Sequence, residues 1–187
     1  SFVPMVTFAF FRHPIPHAMS CQRLGWSARS GNFLQQDALL ESHFDPVQIA
    51  FIKQVDRSGE EFERILVNWF VENAPLYRSV AEDPSRIPAF TYEDLVLEPE
   101  REITRIARHC GVPVNSAMMV PIGQASRSSR ARVSGSEVSM LIKGGDRTRL
   151  VGSWQSRIRP TDLESAKRIF DVLGCEMYSP NSPLPGG

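Results

Sequence analysis

The hydrophobic pattern begins with a strand signal near the start of the chain. Val3–Phe11 is a continuous apolar run rich in aromatic and β-branched side chains, which is typical of a strand buried on both faces of a parallel sheet. Pro14 disfavours the helical region for His13, so the strand is expected to end in a turn there. A second short strand is predicted over Ile87–Tyr92.

Helical periodicity is clearest in the middle of the chain. Over Glu60–Asn73, apolar side chains recur at intervals of three and four residues, which predicts an amphipathic helix. Pro75 is expected to end or kink that helix. Shorter helices are predicted from Ala18 to Trp26 and over Asp45–Phe51.

Two further helices are predicted in the second half. One begins at Pro99 and carries Ile103, Ile106 and Ala107 on its apolar face, with Gly111 as its C-terminal cap. Thr161 and Glu164 have the spacing of a capping box, which would open a last helix that presents Leu163, Ala166, Phe170 and Leu173 on one face and ends before Gly174.

The remaining segments are predicted to be loops. Ser27–Asn32 is small and polar, and Gln124–Gly145 is a long stretch rich in Ser, Gly and Arg without periodicity. The Pro-rich tail at residues 179–187 is expected to be frayed, which leaves residues 1–178 as the folded domain. Strands that alternate with helices predict an α/β fold with a mainly parallel sheet. Because two parallel strands are not stable alone, further strands are expected before Ser1 or in segments without a clear signal.

Composition narrows the class of protein. The chain has 187 residues and a mass of 21.0 kDa, 42% of its residues are hydrophobic and 22% are charged. These values are typical of one globular domain that buries about 70% of its unfolded surface. A formal net charge of zero gives no general reason to expect a nucleic acid or a membrane surface as partner.

The charge is nevertheless uneven. Gly123–Arg159 contains eight basic and two acidic side chains, a surplus of six positive charges that the rest of the chain balances. Such a stretch could bind a small anion, or it could be a solvated basic loop. The basic residues are Arg127, Arg130, Arg132, Lys143, Arg147, Arg149, Arg157 and Arg159.

Cysteine usage and hydropathy exclude some classes. Cys21, Cys110 and Cys175 are widely separated, which argues against a disulfide framework and a thiolate zinc site and weakly favours a reducing compartment. The sequence shows no apolar run of membrane-spanning length and no signal peptide. Because the chain starts with Ser1, a preceding segment is expected to have been removed or left out.

The strongest chemical signal lies at the end of the first predicted strand. Arg12 sits where the strand ends, and Ser20 follows eight residues later on the next predicted helix. Open α/β sheets bind ligands at the carboxyl ends of their strands, and helix N-termini attract anions. A guanidinium and a hydroxyl there could hold a phosphate. The alternative is an arginine paired with a nearby carboxylate and an ordinary surface serine.

Phe11-Arg12-His13-Pro14 with Ser20 resembles the 3′-phosphate-binding motif of sulfotransferases that use 3′-phosphoadenosine 5′-phosphosulfate (PAPS). In that family an Arg ends a strand, Pro follows two residues later and Ser eight residues later. Other residues match the family in order along most of the chain: Trp69, Asn73, Thr91-Tyr92-Glu93-Asp94-Leu95, Glu98-Pro99, Gly111, Gly152-Ser153-Trp154, Gly174 and Tyr178.

The resemblance implies roles for five residues. Arg12 and Ser20 would hold the 3′-phosphate, and Tyr92 would lie against the adenine end. Lys143 would reach the nucleotide phosphate from a late loop next to Gly144 and Gly145, and Ser129 would add a hydroxyl. The alternatives are a core tyrosine at a strand end for Tyr92 and ordinary exposed loop residues for Lys143 and Ser129.

The resemblance also implies the fold and the reaction. The fold would be a P-loop-NTPase-like three-layer α/β structure with a mainly parallel sheet flanked by helices. The enzyme would move the sulfonate of PAPS in line to a hydroxyl or amine, without a metal, and release 3′-phosphoadenosine 5′-phosphate. The acceptor would be a small molecule, a glycan or a peptide; no nucleic acid partner is expected, and a homodimer is left open. A cytoplasmic location is expected, or a lumenal one if an N-terminal anchor has been removed.

The chain departs from the family in one respect. The Gly-rich, P-loop-like segment that holds the 5′-phosphosulfate, and usually the catalytic base, precede the 3′-phosphate motif in this family, whereas only eleven residues precede Arg12. The chain therefore looks like the C-terminal two-thirds of the domain, and no catalytic residue is assigned. Two alternatives stay open: an inactive module that keeps only the 3′-phosphate site, and a fragment of a P-loop kinase.

Two weaker signals point to other kinds of site. His13 and His17 are four residues apart, but prolines interrupt that helix and no third metal ligand is evident. Arg12-His13 is also similar to the Arg-His of histidine phosphatases, which have Gly where Pro14 stands.

The variable segments Trp26–Asp45 and Ser116–Gly135 would build the acceptor site. Apolar residues there would line a pocket or belong to the core: Phe33, Leu34, Leu39, Leu40 and Phe44.

Overall fold

The computed structural model describes residues 6–28, 31–119 and 146–186 of the chain. Within these ranges the protein is a mixed α/β structure, mostly helical, with two strands in one small parallel sheet. The strands are β1 (Ala9–Phe11) and β2 (Ala89–Thr91). The predicted loop at 124–145, with Ser129 and Lys143, lies outside the described residues, as do residues 3–5 of the first predicted strand.

The described helices follow the chain in order and are numbered here from one. They are α1 (Pro14–Leu24), α2 (Gly31–Leu34), α3 (Asp37–His43), α4 (Pro46–Ser58), α5 (Glu61–Glu82), α6 (Tyr92–Leu97), α7 (Pro99–His109), α8 (Ser116–Met119), α9 (Arg147–Gly152) and α10 (Pro160–Leu173). Among the described residues, no helix is both long and apolar enough to cross a bilayer.

The two strands pair in parallel, with Phe11 opposite Thr91 at their carboxyl ends. The first strand is not buried on both faces, so that prediction is wrong: Phe10 is 42% exposed, whereas Ala9 and Phe11 are buried. The second strand stops at Thr91, whose hydroxyl accepts the Asp94 N–H and thereby caps α6.

Helix α5 provides the main surface of the core and packs against α1, α4 and α10. Its predicted apolar face is confirmed, since Phe62, Ile65, Leu66, Trp69 and Phe70 are all buried. Each such aromatic or aliphatic side chain contributes about 1.5–3 kcal/mol when it leaves water. From α10, Ala166, Ile169, Phe170 and Leu173 enter the same core.

Pro75 does not end α5, so the first of the two effects predicted for it is wrong. The helix continues for seven more residues, to Glu82. Pro75 lacks the N–H that would bond to the Val71 carbonyl, a loss of about 3 kcal/mol in an isolated helix. Packing beyond the proline offsets this loss, because the Tyr77 ring stacks on Phe11 with ring centroids 4.5 Å apart and Val80 also packs against the core.

Several other boundaries also differ from prediction. Helix α10 starts at Pro160 with Arg159 as its N-cap, so Thr161 opens no capping box; the fixed φ of Pro160 favours the first helical position instead. Gly31 and Asn32 belong to the short helix α2 rather than to a loop. Helix α4 extends well beyond Phe51, to Ser58. The caps at Gly111 and Gly174 are confirmed as glycines with φ of +67° and +72°.

The C-terminal tail is held against the domain, and the prediction that it is frayed is wrong over residues 179–186. The main-chain oxygens of Ser179 and Ser182 accept hydrogen bonds from the His13 ring, and the Gly186 N–H donates to the Met177 carbonyl. These contacts bring the end of the chain to the turn after β1.

Candidate functional site

The candidate site is built where the two strands end. Since Phe11 and Thr91 are partners in the parallel sheet, the residues that follow them, Arg12 and Tyr92, emerge side by side. The Arg12 guanidinium carbon lies 4.7 Å from the centre of the Tyr92 ring, a distance typical of a cation–π contact. The carboxyl ends of parallel strands thus place a cation and an aromatic ring together.

Arg12 has an unused hydrogen-bond donor. Its Nε is buried and has no hydrogen-bond partner in the described structure. No carboxylate of the described residues forms an ion pair with Arg12, so the alternative of an arginine held by a neighbouring acid is not what these residues show. A buried donor without a partner costs about 1–3 kcal/mol, and a ligand oxygen would remove that cost.

Tyr92 opens α6 and is 37% exposed. Its alternative reading as a core tyrosine is therefore wrong, because more than a third of the residue remains exposed. The Thr91 cap fixes the start of the helix and with it the position of the Tyr92 backbone.

Ser20 lies on α1, half-buried, and its hydroxyl accepts a long hydrogen bond of 3.4 Å from Arg23. No hydrogen bond joins Ser20 to Arg12 in the described part of the chain. On the same helix, His17 Nε2 lies 3.5 Å from Cys21 Sγ. Burial, and secondarily the charge of Arg12, lower the pKa of His17. This face of α1 therefore experiences the positive potential of Arg12.

One residue beyond Arg12, His13 is fully buried and uses every polar atom that it presents. Its main-chain N–H donates to Glu93 Oε1 at 3.0 Å. Its ring Nδ1 accepts the Ile15 N–H at 3.2 Å, so this nitrogen carries no proton. The proton is on Nε2, which donates to the main-chain oxygens of Ser179 and Ser182 at 3.1 and 3.0 Å. With both ring nitrogens engaged, His13 has no lone pair free for a metal.

The environment of His13 keeps it neutral. Burial lowers its pKa to about 4, the hydrogen bonds to Ser179 and Ser182 oppose that shift, and the charge of Arg12 adds to it. The carboxyl group of Glu93 is also buried, and burial raises its pKa. The second oxygen of Glu93 accepts the Tyr178 hydroxyl at 2.9 Å. Glu93 therefore joins the turn after β1 to the C-terminal segment.

The sequence comparison decides the family. The family model for the sulfotransferase domain matches residues 37–179, more than half of the chain. The chain belongs to the sulfotransferase domain family. The matched segment contains Tyr92, Ser129 and Lys143 and begins after Arg12 and Ser20. No curated protein and no solved structure matches the chain.

Membership of the family indicates an enzyme that transfers sulfonate groups, and the family generally uses PAPS as its donor. Among the described residues, no group of three or more His, Cys, Asp or Glu side chains could hold a metal ion. The predicted family resemblance is thus confirmed at the level of the domain. The roles of individual residues remain predictions.

The described part of the basic stretch is largely engaged with the sulfotransferase domain itself. Arg159 forms ion pairs with Asp162 at 2.7 Å and Glu60 at 3.5 Å. Arg157 donates to the carbonyl and hydroxyl of Ser153. Arg147 donates a long bond of 3.4 Å to the Val96 carbonyl at the end of α6. Arg149 lies within the described ranges. The other four basic residues of the stretch lie outside them: Arg127, Arg130, Arg132 and Lys143.

The apolar residues considered for an acceptor pocket belong to the core. Leu40 is fully buried, and Phe33, Leu34 and Phe44 pack against the buried cluster. Of these candidates only Leu39 lies outside that packing, and it is half-buried. The second candidate segment, from Ser116 to Gly135, is described only up to Met119.

Sequence reasoning missed the bonds of His13 and Glu93. These contacts join residues separated by 80 to 169 positions along the chain, and no local pattern records them. One signal was available. If the two strands pair in parallel with Phe11 opposite Thr91, then His13 and Glu93 follow as neighbours, two steps beyond the end of each strand.

Proposed function

We propose that this chain carries the donor-nucleotide site of a sulfotransferase that moves a sulfonate from PAPS to a hydroxyl or amine of an acceptor. The observation that carries the proposal is Arg12: its buried Nε has no partner in the described structure, and its guanidinium lies over the exposed ring of Tyr92. A cation with an unused donor beside an aromatic face suits a nucleotide phosphate next to a base.

The chemistry of the residues fits the donor. Arg12 would hold the 3′-phosphate with charge-assisted hydrogen bonds, which are each worth about 1.5–3 kcal/mol, and Ser20 would add a hydroxyl from α1. Tyr92 would pack against the adenine end. Lys143 and Ser129, outside the described residues, would complete the phosphate contacts as the family resemblance implies.

When bound, PAPS supplies an activated sulfonate whose in-line transfer to the acceptor leaves 3′-phosphoadenosine 5′-phosphate. Arg12 would orient the donor and stabilise the charge of its 3′-phosphate in a partly desolvated position, where a charge interaction is stronger than in water. The acceptor is proposed to be a small molecule, a glycan or a peptide. No residue of this chain is assigned as the base that takes the acceptor proton.

The proposed fold is a P-loop-like three-layer α/β structure. Two observations support it: β1 and β2 are parallel neighbours although a long helical segment separates them in sequence, and Arg12 and Tyr92 lie at their carboxyl ends. Parallel pairs require such crossover connections, and ligands bind at that edge of an open sheet.

Calorimetric titration of the full chain tests the proposal. The ligands are adenosine 3′,5′-bisphosphate, its 2′,5′ isomer and adenosine 5′-monophosphate. We expect the 3′,5′ compound to bind about tenfold or more tightly than either control, because only it places a phosphate for Arg12. Equal affinity for both bisphosphates, or no binding by a folded chain, contradicts the proposal. Transfer of labelled sulfonate from PAPS to a panel of alcohols, phenols and amines then distinguishes turnover from binding alone.

A further inference from the structure

The residues that follow the Arg12–Tyr92 pair form a second, buried pair. His13 and Glu93 each lie one position further along the chain, and the His13 N–H donates to Glu93 Oε1 at 3.0 Å. Both residues are at least 98% buried. Because each member of this pair is covalently adjacent to one member of the site, the hydrogen bond fixes where Arg12 and Tyr92 stand relative to each other.

The C-terminal segment Tyr178–Ser182 holds this second pair from the other side. The Tyr178 hydroxyl donates to Glu93 Oε2 at 2.9 Å, and the His13 ring donates to the carbonyls of Ser179 and Ser182. The Tyr178 ring also lies 5.0 Å from the His13 ring, centroid to centroid. These three hydrogen bonds join one short segment to both buried neighbours of the site.

Because these groups are buried, their hydrogen bonds stabilise the docked position of the segment over any other position. If the segment moved away, the Glu93 carboxylate and the His13 ring would each lose a partner inside the domain. A buried polar group left without a partner costs more than an ordinary hydrogen bond contributes. The position of the segment and the position of the His13–Glu93 pair are therefore energetically coupled.

We propose that Tyr178, with the segment Ser179–Ser182, positions the Arg12–Tyr92 pair, so that nucleotide binding and docking of the C-terminal segment strengthen each other. This inference rests on the proposed nucleotide site. No hydrogen bond or ring contact joins Tyr178 to Arg12 or Tyr92 in the described structure; it acts through Glu93 and His13. Coupling between two sites is reciprocal, so the effect is measurable from either side.

The first test compares two tyrosines of the same core. Tyr178→Phe removes the hydroxyl that Glu93 needs and keeps the ring. Tyr77→Phe is the matched control, since the Tyr77 hydroxyl lies 3.8 Å from Cys175 Sγ and has no link to Glu93 through a hydrogen bond. We expect Tyr178→Phe to weaken binding of adenosine 3′,5′-bisphosphate by about fivefold and Tyr77→Phe to change it less than twofold.

The second test uses the unaltered chain and needs no variant to fold. Adenosine 3′,5′-bisphosphate is expected to slow hydrogen exchange at the Gly186 amide by about fivefold. This amide bonds to the Met177 carbonyl and so closes the loop that contains the segment Tyr178–Ser182. The His13 amide, bonded to Glu93, should slow in parallel. Exposed amides of α4 are not expected to change.

The outcomes separate the two proposals. Normal binding by Tyr178→Phe, or unchanged exchange at Gly186 in a chain that binds the nucleotide, overturns the positioning role and leaves the proposed function intact. A folded, unaltered chain that does not bind the nucleotide overturns both. A loss of affinity in Tyr178→Phe with slowed exchange in the unaltered chain supports the coupling, because a purely structural bond would not respond to the ligand.

Discussion

The guanidinium of Arg12 lies over the ring of Tyr92, 4.7 Å from its centre, because the two residues follow partner positions of adjacent parallel strands. Phe11 pairs with Thr91, and each strand ends one residue before the site. The same register places His13 beside Glu93. A three-residue strand pair is therefore enough to set both the partly exposed cation–aromatic pair and the buried pair that supports it.

The first prediction concerns the ring of Tyr92. Tyr92→Ala is expected to weaken binding of adenosine 3′,5′-bisphosphate by about tenfold, since stacking of a base on an aromatic side chain contributes about 1–3 kcal/mol. Tyr92→Phe keeps the aromatic face and should stay within about twofold to threefold of the original affinity. Equal losses in both variants, measured by calorimetry, would assign the effect to the hydroxyl instead.

The second prediction concerns the ionisation of His13. Because burial lowers its pKa to about 4, the ring is expected to remain neutral, with the proton on Nε2, at pH 5.5. Nuclear magnetic resonance of the imidazole nitrogens measures both the charge and the tautomer. A midpoint near 6.5, the ordinary value for histidine, would contradict the described burial and hydrogen bonds.

The lowered pKa of His13 also predicts how the free energy of unfolding depends on pH. Between about pH 6.5 and pH 4 the unfolded state binds the proton that folded His13 excludes, so the free energy of unfolding falls as pH decreases. From pH 7 to pH 5 the lowered pKa of His13 should reduce the free energy of unfolding by about 2 kcal/mol. The lowered pKa values of His17 and His43 act in the same direction. The raised pKa of Glu93 has the opposite sign, since its ionisation weakens the fold as pH rises.

Urea unfolding at the two pH values measures this effect. His109→Gln is the control, because His109 ends α7 and its ring bonds to the Thr7 carbonyl, apart from the His13–Glu93 contacts. That variant is expected to keep the drop in stability. A profile that stays level between pH 7 and pH 5 would argue against a neutral, buried His13.

The third prediction concerns Pro75. Pro75→Ala restores the N–H that α5 lacks at its interior, next to the Val71 carbonyl. We expect the free energy of unfolding to rise by about 1–3 kcal/mol, reduced somewhat by the greater freedom of the unfolded chain. Thermal unfolding measures it, with Pro84→Ala, in the turn before β2, as the matched control. A decrease in stability would show that α5 requires the proline.

The sequence pattern correctly predicted those features of the fold that depend on residues close together in the chain. The period of α5, the start of α7 at Pro99 and the glycine caps at Gly111 and Gly174 follow from side-chain spacing and backbone preference. Packing decided where α5 ends, because it continues past Pro75 while Tyr77 stacks on Phe11. The start of α10 at Pro160 is also local, because proline favours the first helical position, although the sequence pattern pointed to Thr161.

The candidate site was predictable only in part, because some of its residues carry local signals and others depend on distant contacts. Arg12 and Tyr92 each stand at a strand end, which is a local signal, and the resemblance to sulfotransferases supplied their proposed roles. The position of Tyr178 beside Glu93 depends on a contact across 85 residues. The sequence predicts a frayed tail because proline-rich termini usually lack partners, whereas here the carbonyls of Ser179 and Ser182 accept hydrogen bonds from a buried ring.

The most direct test of the account is a cycle of two variants and two nucleotides. Arg12→Ala is compared with Arg57→Ala, which removes an equal charge from an exposed residue of α4 that donates to the Lys53 carbonyl. Calorimetry measures the affinity of each chain for adenosine 3′,5′-bisphosphate and for adenosine 5′-monophosphate. Circular dichroism confirms that each variant is folded.

A loss of affinity that depends on the 3′-phosphate is expected. Arg12→Ala should weaken binding of the bisphosphate by about 30-fold or more and that of the monophosphate by less than about threefold, since only the bisphosphate loses charge-assisted hydrogen bonds. Arg57→Ala should leave both affinities nearly unchanged. Equal losses for the two nucleotides, or equal effects of the two variants, would contradict the assignment of Arg12 to the 3′-phosphate.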